Sequence, residues 1–133
     1  HLRGVTFGNN TFVGVGQSGN IVRSTDNGAT WDNATTDNST ANYLMGVTFG
    51  NNTFVGVGYY GSIVRSTDNG TNWDNATTEN LTTNHLYGVT FANNTFVGVG
   101  YSGNIVRSTD NGSTWDNATT DNSTANHLRG VTF

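Results

Sequence analysis

Leu2-Arg3-Gly4-Val5-Thr6-Phe7-Gly8-Asn9-Asn10-Thr11-Phe12-Val13-Gly14-Val15-Gly16 returns at 44–58 and 86–100 with only Met45, Tyr87 and Ala92 altered. Two apolar runs flank an Asn-Asn pair, a side-chain type that tolerates the left-handed backbone of a tight hairpin turn. The stretch therefore reads as strand A over Arg3–Phe7, a turn at Asn9-Asn10, and strand B over Thr11–Gly16. Outward from it, Gln17-Ser18-Gly19 is the next turn, Asn20–Thr25 is strand C and Thr30–Ala34 is strand D. A polar stretch, 35–43, leads back to a copy of the start.

The copies define a 42-residue unit, Leu2–Tyr43, Leu44–His85 and Leu86–His127, with a fourth beginning at Leu128–Phe133. A period of this length marks a repeat architecture in which each unit covers the next. Neighbouring positions such as Phe12 and Val13, or Ile21 and Val22, are both apolar yet point to opposite faces of a strand, so both faces of each small sheet need cover. The expected fold is all-β: a β-propeller of four-stranded antiparallel blades, three blades plus one extra inner strand at 128–133. Strand A is expected nearest the axis, with Gly14 and Gly16 allowing close backbone approach there. A parallel β-helix is the runner-up, but the hairpin signals are foreign to it. A β-sandwich ranks lower, since its strands need not repeat.

Ser24-Thr25-Asp26-Asn27-Gly28-Ala29-Thr30-Trp31 recurs as Ser66–Trp73 and Ser108–Trp115. This is the pattern S-x-D-x-G-x-T-W, and with Gly19–Arg23 before it the whole chain resembles Asp-box (BNR-type) propeller repeats, both sialidase-like and photosystem-II-assembly-factor-like. One departure is Asn72, where the pattern has Thr. The resemblance implies a folding role for Ser24, Asp26, Gly28, Thr30 and Trp31, for Ser66, Asp68, Gly70 and Trp73, and for Ser108, Asp110, Gly112, Thr114 and Trp115. Elementary chemistry agrees: a carboxylate in such a turn accepts from backbone N–H groups, and the indole fills space between sheets. Calcium is the alternative, but the D-x-[DN]-x-[DN]-G spacing with a distant Glu is absent. Asp32 and Asp37 read as solvated loop charges.

Asn (21), Thr (23) and Gly (18) make nearly half of the 133 residues, with no Pro, Cys or Lys. A net charge of -4 with five scattered arginines argues against nucleic acid. No apolar run is long enough to span a membrane as a helix. Neither cofactor nor metal is expected. The start at His1 and the letter-for-letter match of His127–Phe133 to His1–Phe7 suggest a segment of a longer array or one assembled from repeats. Eleven N-x-[ST] triplets, including Asn33, Asn75 and Asn117, offer glycosylation only in a secreted setting. The compartment stays open, with an extracellular or cell-surface location slightly favoured.

No active site emerges. The resemblance implies that a sialidase would draw an arginine cluster, a Tyr–Glu pair and a catalytic acid from different blades, whereas Arg23, Arg65 and Arg107 are repeat-equivalent and the one Glu is Glu79. Those arginines are expected to pair with nearby carboxylates or lie along the sheet. His1, His85 and His127 share one repeat position with Tyr43, a poor start for a triad or a metal site. The units differ mostly on the face formed by B–C turns and D–A connections, with the strand A starts beside them: Arg3, Gln17, Tyr43, Met45, Tyr59, Tyr60, His85, Tyr87 and Tyr101. That aromatic rim is the candidate face for a glycan or peptide. Loop drift explains the same pattern.

Each outer face of three stacked blades presents about 400 Å², a patch size that monomers seldom leave bare. Expected, therefore, is a non-catalytic, structural or engineered scaffold that partners itself, as a homodimer of six blades or alternatively a homotrimer of nine. Leu128–Phe133 of one chain could complete the first blade of the next in place of Leu2–Phe7.

Overall fold

Backbone pairing follows the repeat. The computed structural model describes residues 1–78, 81, 83–118 and 125–133. The first sheet runs in the order β1 (Leu2–Gly8), β2 (Thr11–Gly16), β3 (Ile21–Ser24), β4 (Asp32–Asn33). After β5 (Thr35–Asn38), the second contains β6 (Leu44–Gly50), β7 (Thr53–Gly58), β8 (Ile63–Ser66) and β9 (Asn72–Asn75). The third contains β10 (Leu86–Ala92), β11 (Thr95–Gly100), β12 (Ile105–Ser108) and β13 (Asp116–Asn117). All neighbours within a blade are antiparallel. The chain is thus all-β, with three antiparallel four-stranded blades.

Both asparagines of each A–B turn adopt the left-handed conformation, Asn9 at φ 48° and Asn10 at φ 57°, the geometry of a two-residue hairpin whose twist matches its strands. That turn fixes the register, so Phe7 faces Phe12 with ring centroids 4.6 Å apart, and the same pair forms at Phe49/Phe54 and Phe91/Phe96.

Blades join through repeated cores. Val13, Val15 and Ile21 of the first blade bury Leu44, Phe54, Val64 and Trp73 of the second, and Val55, Val57 and Ile63 do the same for Leu86, Phe96, Val106 and Trp115. The inner strands β1, β6 and β10 lie against one another. Their approach is set by glycines of strand A, while Gly16 allows the close backbone approach expected of it within its own blade and Gly14 does not. A Cβ at Gly4 would stand 3.3 Å from the Cα of Gly46, and one at Gly46 would stand 3.3 Å from that of Gly88. Gly14 instead faces Val22 of its own sheet, and Gly16 faces the backbone of His1 and Leu2.

Two further features lie outside the sequence expectation. Strand D is only Asp32–Asn33 in the first blade and Asp116–Asn117 in the third, whereas in the second it runs over Asn72–Asn75, where a strand of the preceding unit pairs alongside it. And the polar connection is structured: β5 pairs in parallel with β9 of the next blade, where Thr35 N–H donates to the Thr71 carbonyl (2.9 Å). Thr77 repeats this strap on Ser113, also at 2.9 Å. Glu79 and Asp121 lie outside the described residues.

Among the described residues the segment 128–133 joins no ladder, although its sequence is that of Leu2–Phe7. It nevertheless occupies the inner-strand position beyond the third blade. A Cβ at Gly88 would stand 3.2 Å from the Cα of Gly130, and Leu128 N–H donates to the Gly100 carbonyl (2.9 Å). At Gly8 and Gly50 a Cβ would fall inside the ring of Phe49 and Phe91. The third unit has Ala92 at that position, and Phe133, which follows it, is 87% exposed.

Candidate functional site

One end of each blade carries the Ser-to-Trp turn. In the first, Ser24 Oγ donates to Asp26 Oδ1 (2.7 Å) and accepts from Gly28 N–H (3.0 Å), while Thr30 donates its N–H to Oδ1 (2.9 Å) and its hydroxyl to Oδ2 (2.6 Å). Trp31 Nε1 closes the turn on the Gly28 carbonyl (3.1 Å). Asn27 and Gly28 are both left-handed, at φ 59° and 83°, which suits their residue types. The second turn keeps the pattern despite Asn72, whose Nδ2 reaches Asp68 Oδ2 at 2.6 Å. In the third, Trp115 Nε1 donates to the Gly112 carbonyl (3.0 Å) and Gly112 N–H to Ser108 Oγ (2.9 Å).

The sequence reading overlooked the middle asparagine of these turns. Asn69 Nδ2 reaches back to Thr11 Oγ1 of the preceding blade (2.7 Å), and Asn111 Nδ2 to Thr53 Oγ1 (2.6 Å). Asn9 and Asn51 each add a side-chain bond to the same asparagine, at 3.2 and 3.3 Å. The turn thus clasps one blade to the next as well as closing a hairpin. The only signal in the sequence was its invariance across units.

Hydrogen bonds from the Thr30 side chain and backbone, then from Ser24, hold the Asp26 carboxyl down at about 2. Burial works against the lowering at Asp110, yet bonds from Thr114 and Ser108 carry it to about 2, and Asn72 and Ser66 likewise lower Asp68 against its burial. A carboxyl lowered by folding stabilises fully above its unfolded value of 3.8 and loses that contribution as pH falls through its folded value, here toward about 2. The thermal midpoint is therefore expected to drop between about pH 4 and pH 2, and a triple Asp26→Asn, Asp68→Asn, Asp110→Asn variant to lack most of that slope in calorimetry.

The other end carries the aromatic rim. The B–C turns are single 3-10 turns at Gln17–Gly19, Tyr59–Gly61 and Tyr101–Gly103. Their middle residues, Ser18, Tyr60 and Ser102, are left-handed at φ 56°, 56° and 54°. For Tyr60 this is a costly conformation for a bulky side chain, and it holds the ring 64% exposed. His85 fastens the turn, since its Nδ1 accepts the Tyr60 N–H (3.0 Å), as His127 Nδ1 accepts that of Ser102 (3.1 Å). Both histidines are used as turn acceptors.

Tyr43, Tyr59 and His85 stack in succession, at 5.6 and 4.3 Å between ring centroids, and Tyr101 stands edge-on to His85 at 6.3 Å. A cleft of about 390 Å³ opens among Tyr60, Thr83, Asn84, His85 and Tyr101, and one of about 270 Å³ among Ala41, Asn42, Tyr43, Tyr59 and Tyr60. Tyr87 lies at the edge, 6.5 Å from His85, with the Arg129 guanidinium over its ring, 5.2 Å from the centroid. Gln17 accepts from the amino group of His1 at 3.4 Å, Arg3 lines the first blade's outer face beside Leu2 and Trp31, and Met45 is half-buried in β6. The rim residues thus fall into one aromatic run plus three outliers.

Arg23 and Arg65 stand opposite Asp32 and Asp74 in their ladders, but the Nε of each is buried without a hydrogen-bond partner. Among the described residues no three His, Cys, Asp or Glu side chains gather as a metal group would need.

Repeated four-stranded blades joined by apolar cores define a propeller-type repeat chain. No protein-family model matches the sequence, and no curated protein matches it significantly. Solved structures do. YCF48 from Cyanidioschyzon merolae superposes with TM-score 0.69 at 21% identity, over 87% of this chain and 39% of that one. A structure of YCF48 bound to D1 peptide gives 0.74 at 20% identity, over 87% and 40%. The computationally designed Ika8 protein gives 0.72 at 15% identity, over 99% and 40%. These similarities concern the fold, and the chain spans about two fifths of each neighbour.

Proposed function

We propose that the chain is a non-catalytic propeller scaffold that closes into a ring with copies of itself, a two-chain, six-blade ring being favoured over three chains and nine blades. The observation that carries this reading is the state of equivalent side chains. Trp73 and Trp115 are 1% and 2% exposed, whereas Trp31 is 42% exposed, and Leu2 is 55% exposed where Leu44 and Leu86 are fully buried. The first blade therefore lacks the cover that Val13, Val15 and Ile21 give the second. At the other end of the array, Val97, Val99 and Ile105 repeat that cover in sequence.

Polar groups match as well. Asn69 and Asn111 clasp Thr11 and Thr53, which leaves Asn27 at one end and Thr95 at the other as the complementary pair. A head-to-tail contact of this kind generates closed rings when the rotation per blade allows it. Two chains gain two seams for one association event, which offsets the entropic cost of joining. The Ser-to-Trp turns serve this scaffold as fasteners. The seam is chemically the same whether the next blade belongs to the same chain or to another.

Sedimentation velocity over a micromolar concentration series tests the reading. Twice the chain mass is expected, with Trp31 fluorescence shifted to the blue as the seam forms. A single chain throughout, with Trp31 still wet, would overturn it.

A second reading has its own support in the strained, exposed Tyr60 beside the larger cleft: the rim binds a polar ligand, a glycan or, as YCF48 holds a D1 peptide, a peptide. Tyr59→Ala and Tyr101→Ala should then lose binding on a mixed peptide and glycan array. Unchanged array signals would remove this reading and leave the scaffold untouched.

A further inference from the structure

We propose that the ring closes by strand exchange: Leu128–Phe133 of one copy becomes the inner strand of the next copy's first blade, pairing with that copy's β2 and displacing its Leu2–Phe7. This rests on the ring reading and specifies its seam.

Three observations lead to it. First, 128–133 has the sequence of Leu2–Phe7 and stands in the inner-strand position, with Gly130 against Gly88 and Leu128 bonded to Gly100, yet among the described residues no strand pairs with it in a ladder. An extended segment with unpaired N–H and C=O groups is a template for another chain's strand. Second, its end is not locked. Ala92 fills the place that Gly8 and Gly50 leave open for the following Phe, and Phe133 stays out. Third, the exchange is balanced in its contacts. β2 pairs with Leu2, Gly4, Val5, Thr6, Phe7 and Gly8, and all but the last have an identical residue to take over at 128–133.

Closure without exchange is the competing route. It would have to expel Leu128–Phe133 from the third blade to admit the next copy's β1, losing the Leu128–Gly100 bond and the Gly88–Gly130 contact. Exchange keeps both contacts and adds the ladder to β2. The segment displaced, Leu2–Phe7, already exposes Leu2, Val5 and Phe7 by half or more.

The two routes respond oppositely to two glycine substitutions in the full chain. A Cβ at Gly130 meets nothing within 4 Å, so Gly130→Val should leave the melting temperature of the unassociated chain unchanged. In the exchanged seam Gly130 takes the place of Gly4, whose Cβ would abut Gly46 at 3.3 Å, and the valine should weaken association about ten- to a hundredfold. Gly4→Val should destabilise the unassociated chain but leave association as strong or stronger, since exchange removes that strand from the seam.

Sedimentation velocity and thermal melts on the unmodified chain and both variants read the result. Selective loss of association in Gly130→Val supports exchange. A silent Gly130→Val, with association lost in Gly4→Val, overturns exchange and keeps the ring. An unmodified chain that never associates overturns the ring itself and exchange with it.

Discussion

Trp73→Ala is expected to cost about 3–5 kcal/mol, the range for truncating a fully buried large aromatic side chain. Trp73 is 1% exposed and fills the joint made by Val13, Val15 and Ile21, with Phe54 tilted against it at 6.4 Å. Its loss opens a cavity between two blades and leaves the Gly70 carbonyl without its indole donor. A chain of this length holds only about 7–20 kcal/mol in total at the usual per-residue stability. Repeat units couple through neighbours, so the loss should split one urea transition into two, with the first blade releasing before the others. Trp31→Ala makes the same chemical change at a 42% exposed site and should cost the unassociated chain far less. Urea titrations followed by circular dichroism at high and low protein concentration check the pair. Equal costs for the two tryptophans at low concentration would contradict the template on which the seam between chains is argued.

That contrast also shows where the sequence is legible. The hairpin Val5–Val15 can be read from letters because its information is local: two asparagines that accept positive φ, flanked by residues that suit strands. The turn at Ser24–Trp31 is legible for the same reason, since its donors and acceptors all lie within eight positions. Strand C, expected over Asn20–Thr25, is Ile21–Ser24, a difference of the size fraying ends produce. Strand D is shorter than expected in the first blade, Asp32–Asn33, and reaches Asn72–Asn75 in the second, where β5 pairs alongside it.

What could not be read is what passes between units. Thr35–Asn38 has no apolar alternation, and its partner Asn72–Asp74 lies in another repeat, so nothing local marks it as a strand. Asn69 looks like a turn residue and is one, but its amide also spans the blade joint. Glycines posed the same difficulty. Gly4, Gly14 and Gly16 are equally small, and only the stacking of blades shows that Gly4 faces the backbone of the next blade while Gly16 faces backbone of its own. On the rim, residue types pointed to one face, and the structure gathers Tyr43, Tyr59, Tyr60, His85 and Tyr101 there while leaving Arg3, Gln17 and Met45 outside the aromatic run. The division follows residue type: Gln17 shares the turn position of Tyr59 and Tyr101, and Arg3 and Met45 share that of Tyr87, but none of the three carries a ring.

Gly46→Val is the second large effect, and it acts at the axis. A Cβ there would stand 3.2 Å from the Tyr87 carbonyl oxygen and 3.3 Å from the Gly88 Cα, both of them backbone that cannot rotate away. Gly4 approaches Gly46 from the opposite side, so the strand has nowhere to retreat. Overpacking a fitted site typically costs about 1–3 kcal/mol and more where backbone must move, which places this variant at or beyond the upper end. The added side chain would also press on the backbone at Val89, which packs against the second joint, so a thermal transition lowered by many degrees and less cooperative is expected. Gly130→Val adds the same three carbons at the equivalent repeat position with open space before it. Since strand propensity favours valine over glycine at both sites, only the neighbouring blade separates the two outcomes. Thermal melts of both variants, run dilute enough to keep chains apart, should therefore show one strongly destabilised and one native-like protein. Matching melts would mean that the inner strands do not stack at their glycines.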